Sequence, residues 1–259
     1  MVLSDTLMDF GIIPFGAPVT WPLTISNVGP QSLVISGKSI AAPFSINLNP
    51  APFILIPSGG SANFTVTFNP TVSGVYDQYL QINSNTTVLQ TKVHLKAESY
   101  HPNALIEDFE GLTTPFPEGW TILQSPCSVN DVIVYNSSTY AYSPTNSLRF
   151  RSYTSGCTSY EQYAITPRLE TDAANRKFSF WYRTYSLTWS DTLWVGWSST
   201  GNNVATDFTW GDMFEVTNLT YQQYVKTDVP IGTKYIALKY NGDAADYVYI
   251  DDVFGPPVY

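Results

Sequence analysis

Charge is scarce in this chain: only 13% of its 259 residues are Asp, Glu, Lys or Arg, too few for a disordered or coiled-coil protein. Bases are scarcer than acids, 12 against 21, for a net charge of −9. That balance excludes nucleic acid and anionic membrane surfaces as natural partners. Histidine occurs twice, as His94 and His101, and cysteine twice, as Cys127 and Cys157. The segment after residue 103 therefore has no histidine for a Ser-His-Asp triad or a histidine-metal centre. No glycine-rich phosphate loop occurs. No run approaches the 18 apolar residues of a membrane span, and MVLSDTLMDF lacks the basic start and apolar core of a secretory leader. An enzyme is not expected, and neither is membrane insertion.

Aromatic residues, by contrast, make up 15%, with 18 Tyr, alongside 18 Pro and 16 Gly. This mixture suits strands and turns better than helices. It is unevenly spread: residues 1–100 carry three Lys, no Arg and four acids, a net of 3 − 4 = −1, which leaves −8 for the rest. Six of the seven Trp also lie beyond residue 100. The short polar stretch Glu98 to Asn103, ESYHPN, reads as a linker. Two domains are expected, over residues 1–99 and 104–259.

In the first, apolar residues recur with period two. Phe64, Val66 and Phe68 alternate with polar residues, and Tyr76, Gln78, Leu80 and Ile82 follow the turn Ser73-Gly74. Further strands are expected at Trp21 to Ser26, Ser32 to Ser36 and Thr87 to Ala97, between Gly/Pro/Asn-rich turns. Seven short strands with this spacing predict a two-sheet sandwich. The words LTISNVGPQSLVIS, IPSGGSANFTVTFNP, SGVYDQYLQINSN and VHLKA resemble, in order, the immunoglobulin-like domain of the abnormal-spindle and Hydin type, also seen in choice-of-anchor D proteins. The resemblance implies a spacer or docking module. His94 falls inside a strand pattern, which gives it a structural role.

The second domain continues in strands, such as Lys177 to Thr184 and Asp191 to Ser198, with no amphipathic helix. The expected fold is a larger sandwich, a jelly roll, so the whole chain reads as all-β. IEDFEG, FPEGW, YAITPRL, KFSFWYR, DTLWVGWS, GTKYIALKY and the closing YIDDV resemble the cleaved-adhesin or choice-of-anchor J domain, a relative of MAM domains. The resemblance implies an extracellular, non-catalytic module and often a structural calcium. First and last strands of a jelly roll can pair, which would bring Glu107, Asp108 and Glu110 towards Asp251 and Asp252. Five carboxylates in one place call for a hard cation such as calcium. The other reading is a solvated cluster bonded to turns. Alternation puts Asp108 and Glu110 on one face, as the better ligand pair, with Phe109 and Ile250 turned inward. Asp243 and Asp246 in NGDAAD are a weaker group, more consistent with a polar turn.

Cys127 and Cys157 sit in Ser/Thr/Asn/Gly-rich segments, which favours a disulfide over buried thiols. Closing that loop of 157 − 127 = 30 residues would stabilise by about 3 to 4 kcal/mol on the chain-entropy account. Trp181, Tyr182, Tyr185, Trp189, Trp194, Trp197 and Trp210 fall within a short span. Exposed rings among them could stack on sugars, although most are expected to fill the core, with Trp194 and Trp197 on opposite faces. Trp189 and Trp210, beside polar turns, are the candidates for glycan contact. The expected role is a secreted or cell-surface bacterial protein, adhesin-like or a self-associating subunit of a surface assembly or filament. The alternative is the carbohydrate-binding accessory module of a secreted enzyme.

Overall fold

Alternation becomes strand almost everywhere in the computed structural model, which describes residues 1–86, 92–124, 131–152, 161–188, 191–242 and 247–259. Among the described residues there is no α-helix, so none crosses a membrane. The chain divides into two compact units, Met1–Pro102 and Asn103–Tyr259.

The first unit holds β1 (Val2–Leu3), β2 (Leu7–Pro14), β3 (Val19–Ser26), β4 (Leu33–Ser39), β5 (Phe44–Ile46), β6 (Ile54–Ile56), β7 (Ser61–Phe68), β8 (Gly74–Ser84) and β9 (Lys92–Tyr100). They form two sheets, in the orders β1-β3-β7-β5 and β2-β9-β8-β4-β6. Inward residues of both sheets, among them Leu23, Ile25, Ile35, Val66, Phe68, Leu80 and Leu95, are fully buried. Phe44 and Phe68 meet at 4.7 Å, with Phe10 beside them; each such ring contributes about 1.5–3 kcal/mol by leaving water. Pro22 is tolerated inside β3 because β1 covers only Ile25 and Ser26, leaving β3 an edge at that point. Four of these strands, β1, β2, β5 and β6, are not marked by the sequence pattern, and β2 is the longest of them. β2 lies parallel to β9 with a register break between Asp9 and Ile12, at Gly11 with φ +73°, and the bulge destroys the alternation. His94 belongs to the sheet surface: its Nε2 is 2.6 Å from Asp77 and its ring stacks on Tyr79.

The second unit holds β10 (Ala104–Glu107), β11 (Thr121–Leu123), β12 (Val132–Asn136), β13 (Asn146–Arg151), β14 (Gln162–Ile165), β15 (Phe178–Thr184), β16 (Asp191–Ser198), β17 (Thr209–Val216), β18 (Gln222–Lys226), β19 (Tyr235–Gly242) and β20 (Tyr247–Pro257). One sheet runs β12-β13-β20-β15-β18, with β10 also on β20; the other runs β11-β14-β19-β16-β17. First and last strands do pair, Glu107 opposite Val253. Phe109, Phe150, Phe178, Phe180, Tyr240 and Ile250 fill the space between the sheets. Two faces remain outside, and each carries aromatic rings.

Candidate functional site

The acidic corner is set by how β10 ends. After Glu107 the chain turns through Phe109 at φ +58° and Gly111 at φ +63°, and the Phe109 ring enters the core. Strand alternation stops there, so the expectation that Asp108 and Glu110 share a strand face is corrected: neither lies in a strand. The turn is held by Phe109 N–H donating to Glu107 (2.7 Å) and Glu110 N–H donating to Asp108 (3.0 Å). Glu110 accepts from Thr145 N–H (2.8 Å) and Oγ1 (2.9 Å), and from Asn146 N–H (2.5 Å) and Nδ2 (2.9 Å).

Asp251 accepts the N–H groups of Tyr142 (2.7 Å), Ser143 (3.1 Å) and Asp252 (2.8 Å), while Ser143 Oγ donates to Asp252 at 2.7 Å. Together Glu110, Asp251 and Asp252 fasten the segment 142–146 across the sheet. Burial opposes the charge on Glu110, but its hydrogen bonds outweigh burial and lower its pKa. Burial raises Glu107 and, against three backbone donors, pushes Asp251 up to about 7. Among the described residues no three Asp, Glu, His or Cys side chains gather to hold one metal ion. Cys127, Cys157, Trp189, Asp243 and Asp246 lie outside the described residues.

The outer face of the β14-β19-β16-β17 region is built by cross-strand register. Leu193 and Val195 of β16 point into the core, so Trp194 points out. Trp194 is opposite Lys239 in β19, and Lys239 is opposite Tyr163 in β14, which puts the three side chains on one face. Trp197 joins the core, so the two tryptophans do face opposite ways. Trp210 in β17 is opposite Gly196 across a bulge. Its Cε3, Cζ3 and Cδ2 would lie 2.7, 2.9 and 3.1 Å from a Cβ at residue 196. Several ring atoms at nearly the same small distance mean that the indole lies flat on the sheet, a position only glycine permits.

Phe208 stacks beside Trp210 at 5.7 Å, and Tyr163 lies at 5.9 Å. The Lys239 ammonium stands among these rings, 5.1 Å from Trp194 and 5.8 Å from both Trp210 and Tyr163. It donates to Glu161 at 2.6 Å, and the Tyr163 hydroxyl donates to the same carboxylate at 2.9 Å. Hydrogen bonding from Lys239 lowers the Glu161 pKa, and burial raises that of Tyr163. The result is an aromatic patch centred on Trp210, with Tyr163 inclined to it at 45° and one cation and one anion at its edge, a mixture suited to a ligand with a CH-rich face and a hydroxyl rim. Of these residues the sequence pointed to Trp210. YAITPRL, KYIALKY and DTLWVGWS contain Tyr163, Lys239 and Trp194, while Glu161 and Phe208 lie outside those motifs, and only register shows that they meet.

The opposite outer face belongs to β13, β20 and β15, where Arg149 is opposite Tyr249 and Tyr249 opposite Arg183. The segment 137–145 lies over it. Tyr140 stacks on Tyr249 at 4.9 Å and Tyr142 on Trp181 at 4.2 Å. The Arg149 guanidinium is held between Tyr135 (4.5 Å) and Tyr247 (4.9 Å).

With both faces defined, the chain can be set beside known proteins. The HYDIN/CFA65/VesB-like Ig-like domain matches residues 1–98, and the Cleaved Adhesin Domain matches residues 103–254. Among solved structures, the K1 cleaved adhesin domain of Lys-gingipain from Porphyromonas gingivalis W83 superposes with a TM-score of 0.50 at 23% identity, covering 58% of this chain and 96% of that one. The K3 domain of the same protein gives 0.49 at 21% identity, covering 58% and 97%. The C-terminal family 22 carbohydrate binding module of Clostridium thermocellum Xyn10B gives 0.40 at 17%, covering 61% and 98%. No curated protein matches. Since the adhesin match takes in more than half of the sequence, the chain belongs to the cleaved adhesin domain family.

Proposed function

We propose that the chain is a non-catalytic, adhesin-like module of the extracellular surface that binds glycans on the Trp210 face of its second unit, with the first unit as a spacer. The observation that carries this reading is the flat seating of Trp210 on Gly196. An indole lying along a sheet has one face against backbone and its other face outward, the geometry needed to stack on a pyranose. Trp194, Tyr163 and Phe208 extend the patch, and Lys239 and Glu161 supply a donor and an acceptor for hydroxyls. Folding needs no charged pair among exposed rings; recognition of a polar ligand with an apolar face uses both. The test is a screen of neutral oligosaccharides by calorimetry. Binding that weakens about tenfold or more in Trp210→Ala supports the proposal, at about 1.4 kcal/mol per factor of ten. Unchanged binding in that variant removes it.

Calcium enters this proposal as a structural ion at the corner of β10 and β20. Its support is that Glu107, Asp108 and Asp252 each keep one carboxylate oxygen without a donor among the described residues. Burial also leaves the Glu107 charge poorly compensated. The three groups suit a hard cation in kind but are not gathered at one point, so binding requires them to turn inward together. A melting temperature raised by excess calcium over EDTA supports the ion; equal temperatures remove it.

Self-association is a second reading, favoured by the open edges of the first unit. β2 and β6 end their sheet, and Leu7, Ile12 and Leu55 on them are exposed, a surface suited to strand addition. Light scattering at rising concentration tests it, and a constant mass near 29 kDa overturns it.

A further inference from the structure

The Arg/Tyr face opposite Trp210 has a shallow, open hollow of about 600 Å³. Tyr140 and Tyr185 adjoin each other in it, their ring centroids 5.6 Å apart and their planes inclined at 50°. Leu187 and Leu219 stand exposed at its rim, and Arg183 reaches into it. Arg183 Nε donates to Thr184 O at 3.2 Å, and its guanidinium lies 5.4 Å from the Tyr140 ring. Its two terminal nitrogens meet no acceptor and no carboxylate among the described residues.

That is unusual in a chain of net charge −9. It is repeated two strands away, across β20, where the buried Arg149 Nε also lacks a partner and no carboxylate approaches the guanidinium among the described residues. Asp251, the acid of β20 on this face, is turned to the backbone of Tyr142, Ser143 and Asp252. Neither guanidinium thus has a counter-anion among the described residues, and the one in the hollow keeps its two terminal nitrogens for a ligand. Such a fork matches a carboxylate in two parallel hydrogen bonds. The adjoining tyrosine rings match one face of a pyranose ring, and Thr139 stands at the edge.

We propose that this hollow is a second saccharide site, selective for a sugar bearing a carboxylate, with Arg183 holding the carboxylate and the adjoining Tyr140 and Tyr185 rings lying against one face of the sugar. It is separate from the Trp210 face and stands or falls independently of it. The experiment is calorimetric titration of the full chain with trigalacturonic acid and with uncharged trigalactose at low salt. The acidic sugar is expected to bind about tenfold or more tightly than the neutral one, the scale of a hydrogen-bonded charge. Arg183→Gln should abolish that preference, and Trp210→Ala should leave it in place. Leu187→Asp, at an exposed rim position that the fold does not need, should also weaken the acidic sugar by bringing in a like charge. Equal affinity for the two sugars, a preference that survives Arg183→Gln, an acidic-sugar affinity unchanged in Leu187→Asp, or equally tight binding of a glutamate peptide of the same charge would each overturn the assignment. Loss of the preference in Trp210→Ala would place the carboxylate on the other face and overturn it as well.

Discussion

The two units spend their aromatic residues differently. In the first, Phe10, Phe44, Phe68, Trp21 and Tyr76 form one connected cluster between the sheets, and the ring pairs outside it are Tyr79 on His94 and Phe15 against His101. In the second, Phe150, Phe178, Phe180 and Tyr240 fill the core, yet Trp194, Trp210, Tyr163 and Phe208 lie outside on one sheet and Tyr140, Tyr142, Tyr249 and Trp181 outside on the other. A sandwich needs rings only between its sheets, as the first unit demonstrates. The rings grouped on both outer faces of the second are half-buried for the most part, with Tyr142 exposed and Tyr249 covered, and the core does not account for them; they are the surfaces on which the proposed sites rest.

The largest expected effects probe what the units share. Phe68→Ala in the first and Phe180→Ala in the second, both fully buried, should each cost about 3–5 kcal/mol, measured by urea unfolding. A cost below about 1 kcal/mol at either site would break the claim that both cores are equally packed. Next come substitutions that only the second unit should feel in binding. Gly196→Ala places a Cβ under the indole and should cost about 1–3 kcal/mol in overpacking. It should also weaken neutral glycans although Trp210 is intact, since the ring must lift. Glu110→Gln comes close behind: its amide group must face donors from Thr145 and Asn146, at about 1–3 kcal/mol. Thermal melts read this loss, and an unchanged melt would mean that the 142–146 segment is held by other contacts.

How much of this was legible beforehand follows the range of the interactions. Phe64, Val66 and Phe68 announced β7 because a strand's period lies within the strand. β2 was missed because the break at Gly11 hides its period, and its pairing with β9 is made some 85 positions away in sequence. The corner acids were found as a group, since β10 and β20 pair as first and last strands can. Their individual roles were not, because the positive φ at Phe109 cancels the alternation on which the choice of Asp108 with Glu110 rested. Trp210 was identified from its polar neighbours. Tyr163, Lys239 and Glu161 were not, since nothing local marks residues that meet only through the registers of β14, β19 and β16. A sequence shows which faces exist; register decides what stands on each.

The smallest expected effect compares two ion pairs that look alike. Lys239 with Glu161 on the second unit and His94 with Asp77 on the first are both 2.6 Å contacts. In each the acid's pKa is lowered, chiefly by a hydrogen bond from its partner. A lowered carboxylate stabilises the fold above its unfolded value, 4.5 for Glu161, and loses that contribution as pH falls through its lower folded value. The partly exposed Lys239–Glu161 pair is worth about 0.2–1 kcal/mol after solvent screening. Glu161→Gln should therefore lower the urea midpoint slightly and uniformly from pH 8 to pH 5, with the gap closing below about pH 4. Asp77→Asn should show a similar small gap over its own, more acidic window. Glycan affinity separates them: Glu161→Gln removes the acceptor beside Trp210 and should weaken binding, whereas Asp77→Asn should leave it unchanged. Equal losses in both variants would mean that the two surfaces are not specialised differently, and the contrast between spacer and reader would fail.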